Sequence, residues 1–253
     1  MNPRPLLLAL AFLTRLPVRL HDTPEPEEYG AAVAMYPVVG LVLGLLLVMV
    51  AGLVNGMGGT PLVTAVVVVA CWVGITGALH LDGLADTADA WLGGHGDRTR
   101  TLAIMKDPAS GPMGVVALVL LVLLKVAAVA SLLELSGWAW PLLMAPVLGR
   151  SACALLFLLL PYVRPGGLGA AAAATVSPDR VWGVVAAAVV LSVILAGLST
   201  GTMMVIAAAL LLWWAVRMML IRLDGFTGDT AGATVEVVEA VVLLVACLMI
   251  AQA

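Results

Sequence analysis

The sequence predicts an all-α, polytopic integral membrane protein, and three observations carry that reading. Of 253 residues, 63% are apolar and only 11% charged, whereas soluble domains carry roughly 25% charged residues. Seven apolar runs approach the ~20 residues that cross a bilayer; they lie at 31–54, 62–79, 113–133, 138–160, 181–198, 203–221 and 235–251. The remaining charges are grouped between these runs instead of being spread along them. The lipid bilayer is therefore the main partner, and a net charge of −3 gives no reason to expect nucleic acid.

The elements follow in order. The apolar run 6–13 is too short to span and lacks a small-residue cleavage site; Arg4 precedes it and Arg15 and Arg19 follow. It reads as a retained interfacial or re-entrant helix, not as a signal peptide. Glu25, Glu27 and Glu28 form a solvated approach to the first span, where Gly40 and Gly44 have the spacing that lets helices pack closely. The second run leads directly into the segment 80–89, discussed below. Arg4, Arg15, Arg19, Arg98, Arg100, Lys106, Arg164, Arg180 and Arg222 then fall on one predicted side, while connections 55–60, 134–137 and 199–202 carry no Lys or Arg. That asymmetry predicts a cytoplasmic N-terminus in a multi-pass protein of the cell inner membrane. It gathers segments 80–114, 164–180 and 224–232 on the cytoplasmic face. Trp91 and Trp182 at one boundary, with Trp138 and Trp140 at the other, suit interfacial aromatic belts. Cys71, Cys153 and Cys247 lie in apolar runs with no disulfide or zinc spacing and are read as core residues. No connection is long enough for a soluble domain, so residues 1–253 are read as one membrane-embedded catalytic domain built on helix ends and loops.

The chemistry concentrates in His80-Leu-Asp-Gly-Leu-Ala-Asp-Thr-Ala-Asp89. Asp82, Asp86 and Asp89 stand at i, i+4 and i+7, which puts all three on one helix face. Like charges so close repel unless a cation lies among them, and no Lys or Arg occurs between Asp82 and Asp97. Hard carboxylate oxygens suit Mg²⁺, which in turn suits phosphate oxygens. Next comes a glycine-punctuated loop with Arg98, Arg100, Lys106 and Asp107, the donors expected of a diphosphate clamp. A second acidic group follows at Asp229, Glu236 and Glu239; a carboxylate inside a membrane helix is expensive unless it faces the interior or a metal. Arg150 and Lys125 sit inside apolar runs, and Arg150 is expected to contact substrate phosphate. His80 and His95 are read as hydrogen-bonded residues and not as catalysts.

These pieces, in order, resemble one family. They are Phe12-Leu-Thr-Arg-Leu-Pro-Val18, Tyr36-Pro-Val-Val-Gly-Leu-Val-Leu-Gly44, the segment 80–90, Ile104-Met-Lys-Asp107 with Gly111 and Gly114, Gly149-Arg150, and Phe226-Thr-Gly-Asp-Thr-Ala-Gly-Ala233. Together they resemble the cobalamin synthases, adenosylcobinamide-GDP ribazoletransferases, over nearly the whole chain. The resemblance implies that adenosylcobinamide-GDP and α-ribazole, or its 5′-phosphate, are joined with release of GMP in a Mg²⁺-dependent late step of cobalamin biosynthesis. It adds Arg15 and Thr227 to the substrate-binding set of Arg98, Arg100, Lys106, Asp107 and Arg150. Asp82, Asp86 and Asp89 are assigned to the metal; the base is left open among Asp107, Asp229, Glu236 and Glu239, as is a homo-oligomer.

Three rivals are weighed. Another membrane-embedded Mg-diphosphate transferase is the nearest. A CDP-alcohol phosphotransferase would carry Asp-Gly-x2-Ala-Arg followed by Gly and two further aspartates, whereas Asp82-Gly-Leu-Ala is followed here by Asp86 and not Arg; a prenyltransferase would need a fuller second Asp-rich loop than Asp224 and Asp229 provide. A transporter would carry polar residues to both faces, whereas the charge here gathers on one.

Overall fold

The structure, a computed structural model, describes residues 3–20, 22–166 and 168–252. Its helices are α1 (Arg4–Leu13), α2 (Pro26–Val33), α3 (Tyr36–Gly56), α4 (Pro61–Thr76), α5 (Leu79–Gly93), α6 (Arg98–Ile104), α7 (Pro112–Leu133), α8 (Ala139–Leu159), α9 (Leu168–Thr175), α10 (Pro178–Ala196), α11 (Leu198–Leu223) and α12 (Gly228–Ile250). Among the described residues there are no strands, only one isolated parallel bridge between Tyr162 and Phe226. The chain is an all-α polytopic membrane protein. Six helices, α3, α7, α8, α10, α11 and α12, are long and apolar enough to cross a bilayer, and α4 with α5 makes a seventh span only if counted as a bent pair.

That bent pair corrects the expected continuous span 62–79. The helix stops at Thr76, and α5 leaves at 88° to α4. Gly77 and Ala78 are both left-handed, at φ +61° and +57°. Two successive left-handed residues cannot continue a right-handed helix, and the alanine bears a steric penalty that glycine escapes. The corner is held from outside, where Arg15 N–H donates to Ile75 C=O at 2.7 Å and the Arg15 side chain lies against Gly77. The acidic helix α5 thus turns away from the α4 axis instead of continuing it.

α8 is the hub, with 78% of its most apolar stretch buried against 22% for α7, α10 and α11. α3 packs on it at Gly40 and Gly44, which face the backbone of Pro146, Val147 and Leu143. A side chain at either glycine would push the helices apart, so the packing reading of this pair holds. α12 is set against α5 by the same device: a Cβ at Gly83 would stand 2.6 Å from Asp229 C=O, and one at Gly232 would stand 3.1 Å from His80 Cα. α12 starts where it does because Thr227 caps it, its hydroxyl accepting from Thr230 N–H while Thr230 Oγ1 accepts from Thr227 N–H.

Candidate active site

The 88° corner and the two glycine contacts bring four segments to one end of the bundle around a cleft of about 420 Å³. α5 contributes Asp82 and Asp86, and the α6–α7 connection contributes Met105, Lys106, Asp107 and Pro108. The α8–α9 connection adds Arg164, and the first turn of α12 adds Asp229. Arg164 is anchored through Nη2 to Met105 C=O at 3.3 Å and pairs with Asp229 Oδ2 at 3.2 Å. Its loop is tied to the α11–α12 turn by Val163 N–H donating to Phe226 C=O and Phe226 N–H donating to Pro161 C=O, each at 2.9 Å.

Four carboxylates therefore face two cations. The imbalance shows in Asp86, whose carboxyl is pushed up to about 6 by burial first and then by the negative charges of Asp82 and Asp229. Asp229 Oδ2 is buried and has no hydrogen-bond partner; its approach to Arg164 lacks hydrogen-bond geometry. Hard oxygen donors, mutual repulsion and an orphaned buried oxygen are the chemistry of a divalent-cation site, and Asp82, Asp86 and Asp229 are the residues that could hold one. Among the described residues, no three Asp, Glu, His or Cys side chains are close enough to enclose an ion by themselves. A Mg²⁺ that keeps waters and takes substrate phosphates needs fewer protein ligands than that.

The face on the cleft differs from the one that helical spacing predicts. Asp89 turns to the start of α7, where Oδ2 accepts from Gly111 N–H at 2.6 Å and Oδ1 from Gly114 N–H at 2.9 Å. Free N–H groups at a helix N-terminus outcompete an open position for a carboxylate. Asp89 thereby anchors the connection that carries Lys106 and Asp107. Of the expected phosphate contacts, Lys106 lines the cleft and Arg98 and Arg100 do not. Arg98 Nε donates to Leu223 C=O at 2.8 Å and approaches Asp224 at 3.6 Å, and Arg100 is exposed on α6. Arg15 supports the α4–α5 corner and Thr227 is a buried cap.

Glu236, Glu239 and Arg150 are not on the cleft either. They meet Lys125 in a separate network among α5, α7, α8 and α12. Lys125 Nζ lies 2.6 Å from both Glu236 and Glu239 and 4.3 Å from the Trp72 ring, and Arg150 pairs with Glu239. Arg150 Nη2 also stands 3.5 Å from His80 Nδ1. Arg150 and Glu239 are both 0% exposed. The cation in the apolar run is thus compensated by a structural acid, and of the four candidate bases only Asp107 and Asp229 line the cleft. Arg164 is the site residue that the sequence concealed, since it looks like any other arginine on the basic side; the following Pro165-Gly166 turn was its only mark.

Fold and site define a class: a polytopic membrane protein with a carboxylate-rich cleft where its helices end. The chain belongs to the cobalamin-5-phosphate synthase family, whose model matches residues 5–247. It is 50% identical over 240 residues to an adenosylcobinamide-GDP ribazoletransferase of Stutzerimonas stutzeri, covering 95% of this chain and 96% of that one. The enzyme of the same name from Alkalilimnicola ehrlichii is 53% identical over 243 residues, with 95% and 94% covered. That from Pseudomonas aeruginosa is 50% identical over 241 residues, with 95% and 96% covered. No solved structure matches the chain.

Proposed function

We propose that the chain is a Mg²⁺-dependent transferase that joins α-ribazole, or its 5′-phosphate, to adenosylcobinamide-GDP and releases GMP, with the cleft open to the cytoplasm. The family and the names of its near-full-length relatives support the reaction. The single observation that carries it is the cleft itself, whose carboxylates exceed its cations so that a bare diphosphate would be repelled. A divalent ion on Asp82, Asp86 and Asp229 would neutralise the diphosphate and stabilise the departing phosphate. Lys106 and Arg164 hold phosphate oxygens from the other wall. The ribazole hydroxyl oxygen bonds to the phosphorus nearest cobinamide, and its proton passes to Asp107, the cleft carboxylate left over. The phosphoanhydride P–O bond breaks, and GMP leaves with the electron pair. Cytoplasmic orientation rests on the one-sided Lys and Arg distribution.

The test is to incubate purified protein with adenosylcobinamide-GDP, α-ribazole and MgCl₂ and to measure GMP. Release that needs all three is expected. No release, or equal release in excess chelator, would overturn the reading.

A further inference from the structure

A second cavity, of about 240 Å³, lies among α1, α2, the start of α3 and α9. Three aromatic side chains, Phe12, Tyr29 and Tyr36, line it among small and aliphatic residues. The Phe12 and Tyr36 rings lie within 19° of parallel, with centroids 6.5 Å apart. Tyr36 is 4% exposed, yet its hydroxyl makes no hydrogen bond to any described residue. The oxygen itself remains accessible, so a water or a ligand group can complete it.

The cavity adjoins the cleft. Tyr36 packs edge-on against Phe157 at 6.2 Å, Phe157 against Phe226 at 5.0 Å, and Phe226 against Tyr162 at 5.2 Å. Tyr162 and Phe226 form the bridge beside Arg164 and Asp229. Gly169 lines the cavity, and a Cβ there would stand 2.6 Å from the Tyr162 ring, so the cavity borders Tyr162, two residues before the cleft's Arg164. The mouth is accessible, since Phe12 is 41% exposed.

An apolar space with near-parallel rings and one unanswered hydroxyl suits a flat ring system that has a single polar edge. A flexible acyl chain would use neither feature. We propose that this cavity takes the benzimidazole base of the nucleoside acceptor, stacked on the aromatic walls, with the Tyr36 hydroxyl donating to the unsubstituted ring nitrogen. This rests on the transfer reading above and adds a second subsite to it: base in the aromatic cavity, hydroxyl toward the cleft.

Equilibrium binding of benzimidazole and of α-ribazole to the purified full chain tests the assignment with Ala11→Trp, which fills the exposed mouth, and Tyr36→Phe, which removes only the hydroxyl. Ala11→Trp should weaken both ligands more than tenfold, and Tyr36→Phe should weaken them about tenfold, the equivalent of one hydrogen bond. In steady state, KM for α-ribazole should rise by the same factors while KM for adenosylcobinamide-GDP and kcat stay within about twofold. Wild-type affinity for α-ribazole in both variants, at unchanged melting temperature, would overturn the proposal. Competition by single-chain lipids with no effect of Tyr36→Phe would overturn it as well. Benzimidazole binding that is lost in Ala11→Trp, in a protein that releases no GMP, would uphold the cavity and sink the transfer reading instead.

Discussion

In the cleft, Asp82, Asp86, Asp107 and Asp229 outnumber Lys106 and Arg164, and Asp82, Lys106 and Asp107 stand exposed. About two to three turns further along α12, Glu236 and Glu239 are matched by Lys125 and Arg150 and shut away from solvent. The same residue types do different work because of charge balance and access. A buried network is tolerable only when its charges cancel, and it then locks its helices in one arrangement. A cleft with surplus negative charge gains nothing for folding and gains a great deal when a cation and an anionic substrate arrive. The network clamps α12 and α5 beneath the turns that carry Asp229 and Asp82, so the balanced set positions the unbalanced one.

Breaking each set in turn sharpens this contrast. Asp82→Asn should lower turnover by roughly a thousandfold, an effect on the scale of losing metal stabilisation. The melting temperature of the metal-free protein should stay level or rise, because a repulsion has been removed; a fall in stability with activity intact would reverse the roles assigned here. Lys125→Met should do the opposite, lowering stability by about 3–5 kcal/mol by leaving buried carboxylates unanswered. Adding Glu236→Gln should restore most of that loss, since Arg150 and Glu239 then balance. Thermal or denaturant unfolding of the two variants decides it, and equal losses in single and double variants would show that charge balance is not the cause.

Asp89→Ala probes the join between the sets. It frees two backbone donors at the start of α7 and should cost about 1–3 kcal/mol. Turnover should also fall, though less than in Asp82→Asn, because Lys106 and Asp107 lose their anchor. Wild-type stability in this variant would refute the anchoring role. The smallest effect concerns pH. Since Asp86 is held up to about 6 from 3.8, the folded metal-free protein binds a proton more tightly than the unfolded chain between those values. Its stability should therefore fall as pH rises from about 4 to about 6. Saturating Mg²⁺ should flatten that dependence by holding Asp86 ionised, and its affinity should fall progressively as pH drops below about 6. A melting curve indifferent to pH across this window would contradict the crowding of carboxylates.

Much of this was readable in the residues. Apolar runs of spanning length located the long helices because a bilayer leaves few other ways to satisfy a backbone. The segment 80–89 stood out because carboxylates without counter-cations are rare in such a chain. What escaped was partner choice. Asp89 shares a helix face with Asp82 and Asp86, yet N–H groups of Gly111 and Gly114, more than twenty residues away in sequence, claim it. Arg150 and Glu239 look equally suited to a substrate site, and only their mutual burial shows that they answer each other.

By itself, the sequence determined that this is a multi-spanning helical protein of the cobalamin-5-phosphate synthase family with a carboxylate-rich centre at the start of the connection between the second and third predicted spans. Composition, hydropathy and local spacing are properties of short segments, and they survive without knowledge of the fold. Only the tertiary structure decided which charges face one another. The left-handed pair Gly77 and Ala78 turns α5 away from the α4 axis, and Gly83 lets it touch α12 at Asp229. Arg164 enters the cleft from a loop whose only local mark was the Pro165-Gly166 turn. Electrostatic energy depends on separation in space and on access to water, and neither can be read along a chain before helices from distant segments have packed.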